Sequence, residues 1–147
     1  MNFEDYDWEI AKLAKDFYTE KFGSKTFTAN KARELLTNPF KSNYNVILKY
    51  TLGSEKVGYS IGFETSNIFH YAHPFYYHET FNNNFGMGMM LLAINKAKEE
   101  SKKYFYIGSA SKPEDKYKFQ FKGLEWYDWN TWSTDIEKLK ETILPKS

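Results

Sequence analysis

From Asn82 to Gly88 the chain reads Asn-Asn-Asn-Phe-Gly-Met-Gly, and this run carries the clearest chemistry in the sequence. An aromatic, strand-like segment ends near Tyr77. After the polar residues, Met87, Met90, Leu91, Ile94 and Ala97 recur with the period of a helix. The spacing therefore predicts a strand that delivers a glycine-bearing loop to a helix N-terminus. First-turn N–H groups there have no partner within the helix, and the helix dipole favours negative charge. Gly86 and Gly88 lack Cβ, so a pyrophosphate can come close to the backbone. The chemistry expected is capture of a phosphorylated carrier and a reaction on whatever that carrier holds.

The elements that must position this loop can be read from periodicity and caps. Asp7 to Lys21 reads as a helix with an apolar stripe of Ile10, Leu13, Ala14 and Phe17, stopped by Gly23. Thr28 caps a second, short helix to Leu36, which Asn38-Pro39 ends. Tyr44 to Leu52, Lys56 to Glu64 and Ile68 to Tyr77 read as three strands joined by turns at Gly53-Ser54 and Thr65-Ser66-Asn67, the third bent at Pro74. The long helix then runs from Gly86 to about Ser101. Tyr104 to Gly108 is apolar throughout, as a central strand should be. Pro113 can open a helix over Ser111 to Lys122. A strand or hairpin follows over Leu124 to Trp132, then a closing helix capped by Thr134 with Glu137. This order predicts one α/β layered domain over residues 1–147 with a mixed sheet.

Composition sets further bounds. The 147 residues are 41% hydrophobic and 27% charged, which is globular, and long enough for one proper core. Aromatic residues reach 20%, which predicts an aromatic-rich core or groove unless it reflects compositional bias alone. A net charge of +1 gives no global pull towards nucleic acid. Without cysteine there is no disulfide, thiolate nucleophile or Cys-ligated zinc. His70 and His73 would point to opposite faces of a strand, so no metal site is expected. The start MNFEDYDWEI is acidic, with no apolar segment after it, and no run reaches a membrane span. A cytoplasmic protein without a membrane partner is the expectation.

Asn83-Asn84-Phe85-Gly86-Met87-Gly88, set between a third strand and a long helix, resembles the R/Q-x-x-G-x-G/A loop of the GNAT acyltransferase superfamily, with Asn in the first place. The resemblance implies a GNAT-like mixed, mostly antiparallel sheet flanked by helices. It implies an acyl-CoA co-substrate, acetyl-CoA above all, its pyrophosphate held by the amides of Asn83 to Gly88. It also implies two strands that splay around the pantetheine chain, with Tyr106 and Gly108 on one side and Ser109 as a hydroxyl beside the splay.

A narrower set of segments is similar to the C-terminal domain of arginyl- and leucyl-tRNA–protein transferases: Phe75, Tyr76 and Gly86, then Tyr106-Ile107-Gly108, then Tyr117, Lys118, Phe121, Leu124 and Glu125. That likeness implies charged tRNA as donor. The chain departs from it in lacking cysteine pairs and in carrying the small Gly88. Its segment between Gly108 and Tyr117 is also about two residues short.

N-acyl transfer to a primary amine needs a proton acceptor, an oxyanion donor and close placement of the two substrates. Glu64 at the end of the second strand, Glu79 just before the loop, and His73 or His78 are the candidate bases. Tyr117 is the candidate acid, although the position where the GNAT pattern often places tyrosine holds Phe119. Lys96, Lys98, Lys102, Lys103, Lys116, Lys118 and Lys122 flank the expected donor site or form a wetted face. Of Trp126, Trp129 and Trp132, at least one is expected in the core and one beside the acceptor. A non-catalytic module on the same fold is the remaining alternative.

Overall fold

The computed structural model describes residues 6–24, 27–77 and 84–143. The chain divides into two compact units, residues 1–106 and 107–147.

In the first unit, α1 (Trp8–Phe22) forms as its stripe predicts: Ile10, Leu13, Ala14 and Phe17 are buried, Asp7 caps the N-terminus, and Gly23 stops the helix at φ 88°. α2 (Ala29–Thr37) opens on Thr28, whose hydroxyl accepts from the Lys31 amide at 3.1 Å, and buries Ala32, Leu35 and Leu36. Three antiparallel strands follow, β1 (Val46–Leu52), β2 (Glu55–Glu64) and β3 (Ile68–Tyr76). α3 (Phe85–Glu99) leads to β4 (Tyr104–Tyr106), which pairs parallel with β3, and the sheet order is β1-β2-β3-β4. The mixed, mostly antiparallel sheet between helices is the architecture expected from the sequence.

α1 and α2 cover one face of the sheet, where Ile47, Tyr59, Ile61 and Phe75 join their stripes in one core. α3 lies on the other face, beside Leu48 and Tyr50 of β1. Here the hydroxyls of Tyr50 and Ser60 meet at 3.1 Å in the interior, and the Tyr71 phenol lies beside that of Tyr50. Burying a side chain such as Phe69 or Phe75 is worth about 1.5–3 kcal/mol, so these two layers hold the sheet's twist and position.

Several expectations change. The apolar stripe of α3 is Met89, Met90, Ala93 and Ala97, while Leu91 stays 47% exposed; the helix is turned from the face its sequence suggests. Both Leu91 and Leu92 face outward, so hydrophobicity alone could not phase it. β4 is three residues long and sits at the end of the sheet order, not in the centre.

The second unit is built differently from its expected helix and strand. Pro113–Gln120 is a 3₁₀ helix in which only Lys118 is buried, so no apolar stripe favours the wider α form. Trp126–Tyr127 (β5) and Trp132–Ser133 (β6) form a small hairpin. None of the three tryptophans is core: Trp129 is 93% exposed and Trp132 51%, while Trp126 is half-buried and donates to the Asp135 carbonyl at 2.9 Å. α4 (Ile136–Ile143) is capped by Asp135, not Thr134: the Asp135 carboxylate accepts from the Lys138 amide at 3.0 Å.

Candidate active site

The start of α3 lies against the end of β3. Tyr76, the last residue of β3, has its ring 4.9 Å from Phe85 and 4.7 Å from Phe17, which ties the helix start to the sheet and to α1. A Cβ on Gly86 would lie 3.6 Å from the Tyr76 ring, and one on Gly88 would meet nothing within 4 Å. Asn84 is the N-cap and makes no side-chain cap bond, and the first turn holds no acidic residue. The Gly88 amide bonds to the Asn84 carbonyl at 3.0 Å, so helical bonding begins there. The amides of Gly86 and Met87, in the same first turn, have no acceptor among the described residues. The Gly86 and Met87 amides, in a first turn that holds no acidic residue, are thus donors of the kind a diphosphate accepts from. Asn83, Glu79, His78 and Asn82 lie outside the described residues.

β3 carries a feature the sequence reading placed at Pro74 but did not identify. Ser60 pairs with Pro74 and Ile61 with Ala72, so His73 is an extra residue without a partner on β2. Its φ is +38°, a region that non-glycine residues rarely occupy, and strain of this kind gathers at working sites. The Tyr18 hydroxyl donates to the Pro74 carbonyl at 2.8 Å and clamps the bulge from α1. The extra residue shifts the strand by one place. His70 and His73 therefore both meet Tyr44, at 6.2 and 5.4 Å between rings, and do not point apart as a regular strand would require. No group of histidines and carboxylates that could hold a metal occurs among the described residues.

His73 sits between Phe27, at 5.5 Å, and Tyr44. Burial lowers its pKa below the ordinary 6.5, and the positive fields of His70 and Lys31 lower it further. The ring is therefore neutral at pH 7 and can take up a proton. β4 pairs only with Ile68, Phe69 and His70, and β3 runs on to Tyr76 beyond it. The main chain around His73 thus lies past the end of β4. Tyr106, the last residue of β4, marks the point where that pairing stops.

Glu64 is placed elsewhere. It pairs with Phe69 at the opposite end of β3 from Tyr76, about 20 Å away at roughly 3.3 Å per residue. Lys102, largely buried, reaches it at 3.2 Å and donates to the Thr65 carbonyl at 2.6 Å. Glu64 therefore closes the β2–β3 turn and is not brought to the helix mouth. The expected lysine face is partly consumed in the same way: Lys96 contacts Glu100, and Lys102 holds this turn.

In the second unit Gly108 adopts φ 80°, where a side chain would be strained, and Lys118 lies below it. Lys118 is only 6% exposed, not the wetted residue its type suggests. Its ammonium donates to the Ser109 carbonyl, lies 3.5 Å from the Asp115 carboxylate, and sits 5.6 Å from the centre of the Tyr117 ring. The Ser109 side chain is exposed. Asp115 accepts from the amides of Ser111 and Lys112 at 2.8 and 3.0 Å. Burial pushes its pKa up, but these amides and Lys118 outweigh burial and leave it below the usual carboxylate value. Burial, with the Asp115 charge, raises the Tyr117 pKa, so that phenol stays protonated at neutral pH. Lys118 is thus a positioning residue for the loop over 108–112.

Replacing Lys118 with methionine keeps the stem but removes these bonds. It should cost about 1–2 kcal/mol, since charged hydrogen bonds are lost while a desolvated cation is also removed. Chemical denaturation checks the magnitude. Because the Asp115 pKa is lower in the folded state, its contribution is complete above the unfolded value near 4 and disappears as pH falls through the folded one. The variant should flatten that acid limb.

The site residues that the sequence reading missed are Tyr18, Phe27 and Tyr44. They surround His73 only because a bulge exists, and the His73-Pro74 pair was its single local sign.

Comparison with known proteins bears on the fold. The chain matches no protein-family model and no curated protein. It is similar to the crystal structure of a ribosomal-protein-alanine N-acetyltransferase from Brucella melitensis biovar Abortus 2308, at TM-score 0.55 and 16% identity, covering 87% of this chain and 93% of that one. It is also similar to an integron cassette protein from the mobile metagenome of V. cholerae, at TM-score 0.57 and 10% identity, covering 96% of this chain and 94% of that one. Neither is described as a tRNA–protein transferase. At these identities the likeness establishes the GNAT-like fold.

Proposed function

We propose that this chain, with its GNAT-like fold, is an N-acyltransferase that moves an acyl group from acyl-CoA, acetyl-CoA first among them, to a primary amine. The observation that carries the reading is the mouth of α3: two glycines, no acidic residue, no side-chain cap, and amides at Gly86 and Met87 without a described acceptor. The Brucella neighbour supports it, because a protein of the same architecture bears an N-acetyltransferase name. Both units are read as one acyltransferase domain over residues 1–147.

Asn84 to Gly88 would hold the diphosphate of the donor, whose thioester supplies the activated acyl group. The chain's own residues then do two things. The edge of β3 beyond β4 receives the donor's extended arm, with Tyr106 at its margin. His73, held neutral by burial, takes the proton that the attacking amine gives up. Tyr117, and Gly108 and Ser109 in the loop that Lys118 organises, belong to the second unit and are given no step in this scheme. Glu64 is assigned no role in this scheme.

The aminoacyl-tRNA alternative gains no observation of its own, and three of the seven flanking lysines, Lys96, Lys102 and Lys118, are engaged with Glu100, Glu64 and Asp115. No described helix is long and apolar enough to cross a membrane.

The test is binding of free CoA. At a concentration about 100 times its Kd, CoA should stabilise the native state by about 2.7 kcal/mol, a rise of roughly 5–10 °C in Tm. Acetyl-CoA with a panel of amines should then release free thiol. A Tm that stays flat at millimolar CoA would remove the proposal.

A further inference from the structure

On the helical side of the first unit, α1 and α2 leave a cleft of about 260 Å³ lined by one stripe of each helix. Trp8, Lys12 and Lys15 come from α1, Asn30 and Arg33 from α2, and Tyr6 closes one end. The spacing of Trp8, Lys12 and Lys15 places them on one side of α1 by helical geometry alone. The body of α3 lies on the opposite face of the sheet, and no described residue of α3 lines this cleft.

Its electrostatics are one-sided. Among the described residues, the lining contains three cations and no carboxylate. Lys12 is held by Asp16 at 2.7 Å, but Lys15 and Arg33 form no ion pair among the described residues. Arg33 and Tyr6 line the same space; burial raises the pKa of the Tyr6 phenol and the guanidinium opposes that rise. Asp7 also acts on that phenol, but its carboxylate is used to cap α1 through the Glu9 amide at 3.1 Å. Glu34, the next acid on α2, is drawn to Lys41 at 3.6 Å. Trp8 is 65% exposed beside these cations, a large ring left in water.

An unpaired guanidinium and an unpaired ammonium suit a dianion better than a single carboxylate, and Arg offers the fork that phosphoryl oxygens fit. An exposed indole next to them suits a flat ring joined to that anion. The volume is below that of most drug-sized sites, which favours a small ligand. We infer that the α1–α2 cleft is a second binding site, for a phosphate monoester carried on a flat ring or nucleoside. It does not depend on acyl transfer.

The experiment is calorimetric titration of the full chain with adenosine 5′-monophosphate, phenyl phosphate, adenosine and inorganic phosphate. The two ring-bearing phosphates should bind saturably, at least tenfold more tightly than adenosine or inorganic phosphate. The double variant K15Q/R33Q, both changes on exposed residues, should weaken them at least tenfold with Tm unchanged. The variant G88L, altered only at α3, should bind them as the natural chain does. Absence of saturable binding, equal binding of adenosine, or affinity lost in G88L but kept in K15Q/R33Q would each overturn the assignment.

Discussion

Gly88→Leu should abolish CoA binding while leaving the protein folded. A Cβ at Gly88 meets nothing within 4 Å, so the fold has room for the side chain. Leucine also favours the helix over glycine by about 0.8 kcal/mol, so Tm should hold or rise slightly. Side chains on a helix lean towards its N-terminus, which would put the isobutyl group over the first turn. There it would stand between an incoming diphosphate and the amides of Gly86 and Met87. The expected loss in CoA affinity is at least 100-fold, or about 2.7 kcal/mol. Calorimetry with CoA and a melting curve on the same sample separate the two effects. Tight binding in a well-folded Gly88→Leu protein would mean that the donor does not use this helix mouth.

His73→Gln should lower turnover by about 10²–10⁴-fold without changing CoA affinity, the loss expected when a general base is removed. With the natural residue, kcat/KM should climb with pH on an acid limb centred below 6.5, because burial and the nearby positive groups hold the imidazole's pKa down. In the variant that limb should vanish. Stability supplies an independent reading. The folded imidazole resists protonation, so the unfolded chain takes up its proton first as pH falls past about 6.5, and stability declines until the folded value is reached. Glutamine removes that decline. Thiol release measured from pH 5 to 9, beside denaturant midpoints over the same range, tests both. An unchanged acid limb in His73→Gln would assign the proton to another group.

The layers of this molecule were legible in its sequence because each rests on local rules. Asp7, Thr28 and Gly23 mark helix ends by chemistry that acts within a few residues, and the stripe of α1 repeats cleanly. The glycine pair in the first turn of α3 was equally plain. What failed depends on contacts distant in sequence. The phase of α3 is decided by the sheet, since Met89, Leu91 and Leu92 are similar in hydrophobicity and only some face Tyr71 and its neighbours. Lys118 reads as a surface residue until Asp115 and the Ser109 carbonyl are seen around it. Glu64 reads as a free carboxylate until Lys102, 38 residues later, is brought to it (102 − 64). Tyr18 and Tyr44 joined the candidate site only through the bulge.

That bulge also decides where three aromatic side chains go. Phe69, Tyr71 and Phe75 are odd-numbered and would share one side of an unbroken strand. With His73 inserted, Phe75 joins the α1–α2 core while Tyr71 lies beside Tyr50 on the other side. Deleting this one residue would leave Tyr71 and Phe75 three places apart, an odd separation that keeps them on opposite faces of a regular strand, so both rings would stay in their layers. Regularising the strand at its present length would instead put Tyr71 and Phe75, four places apart, on one face, so a change that let His73 pair with β2 is the one that would move a ring between layers.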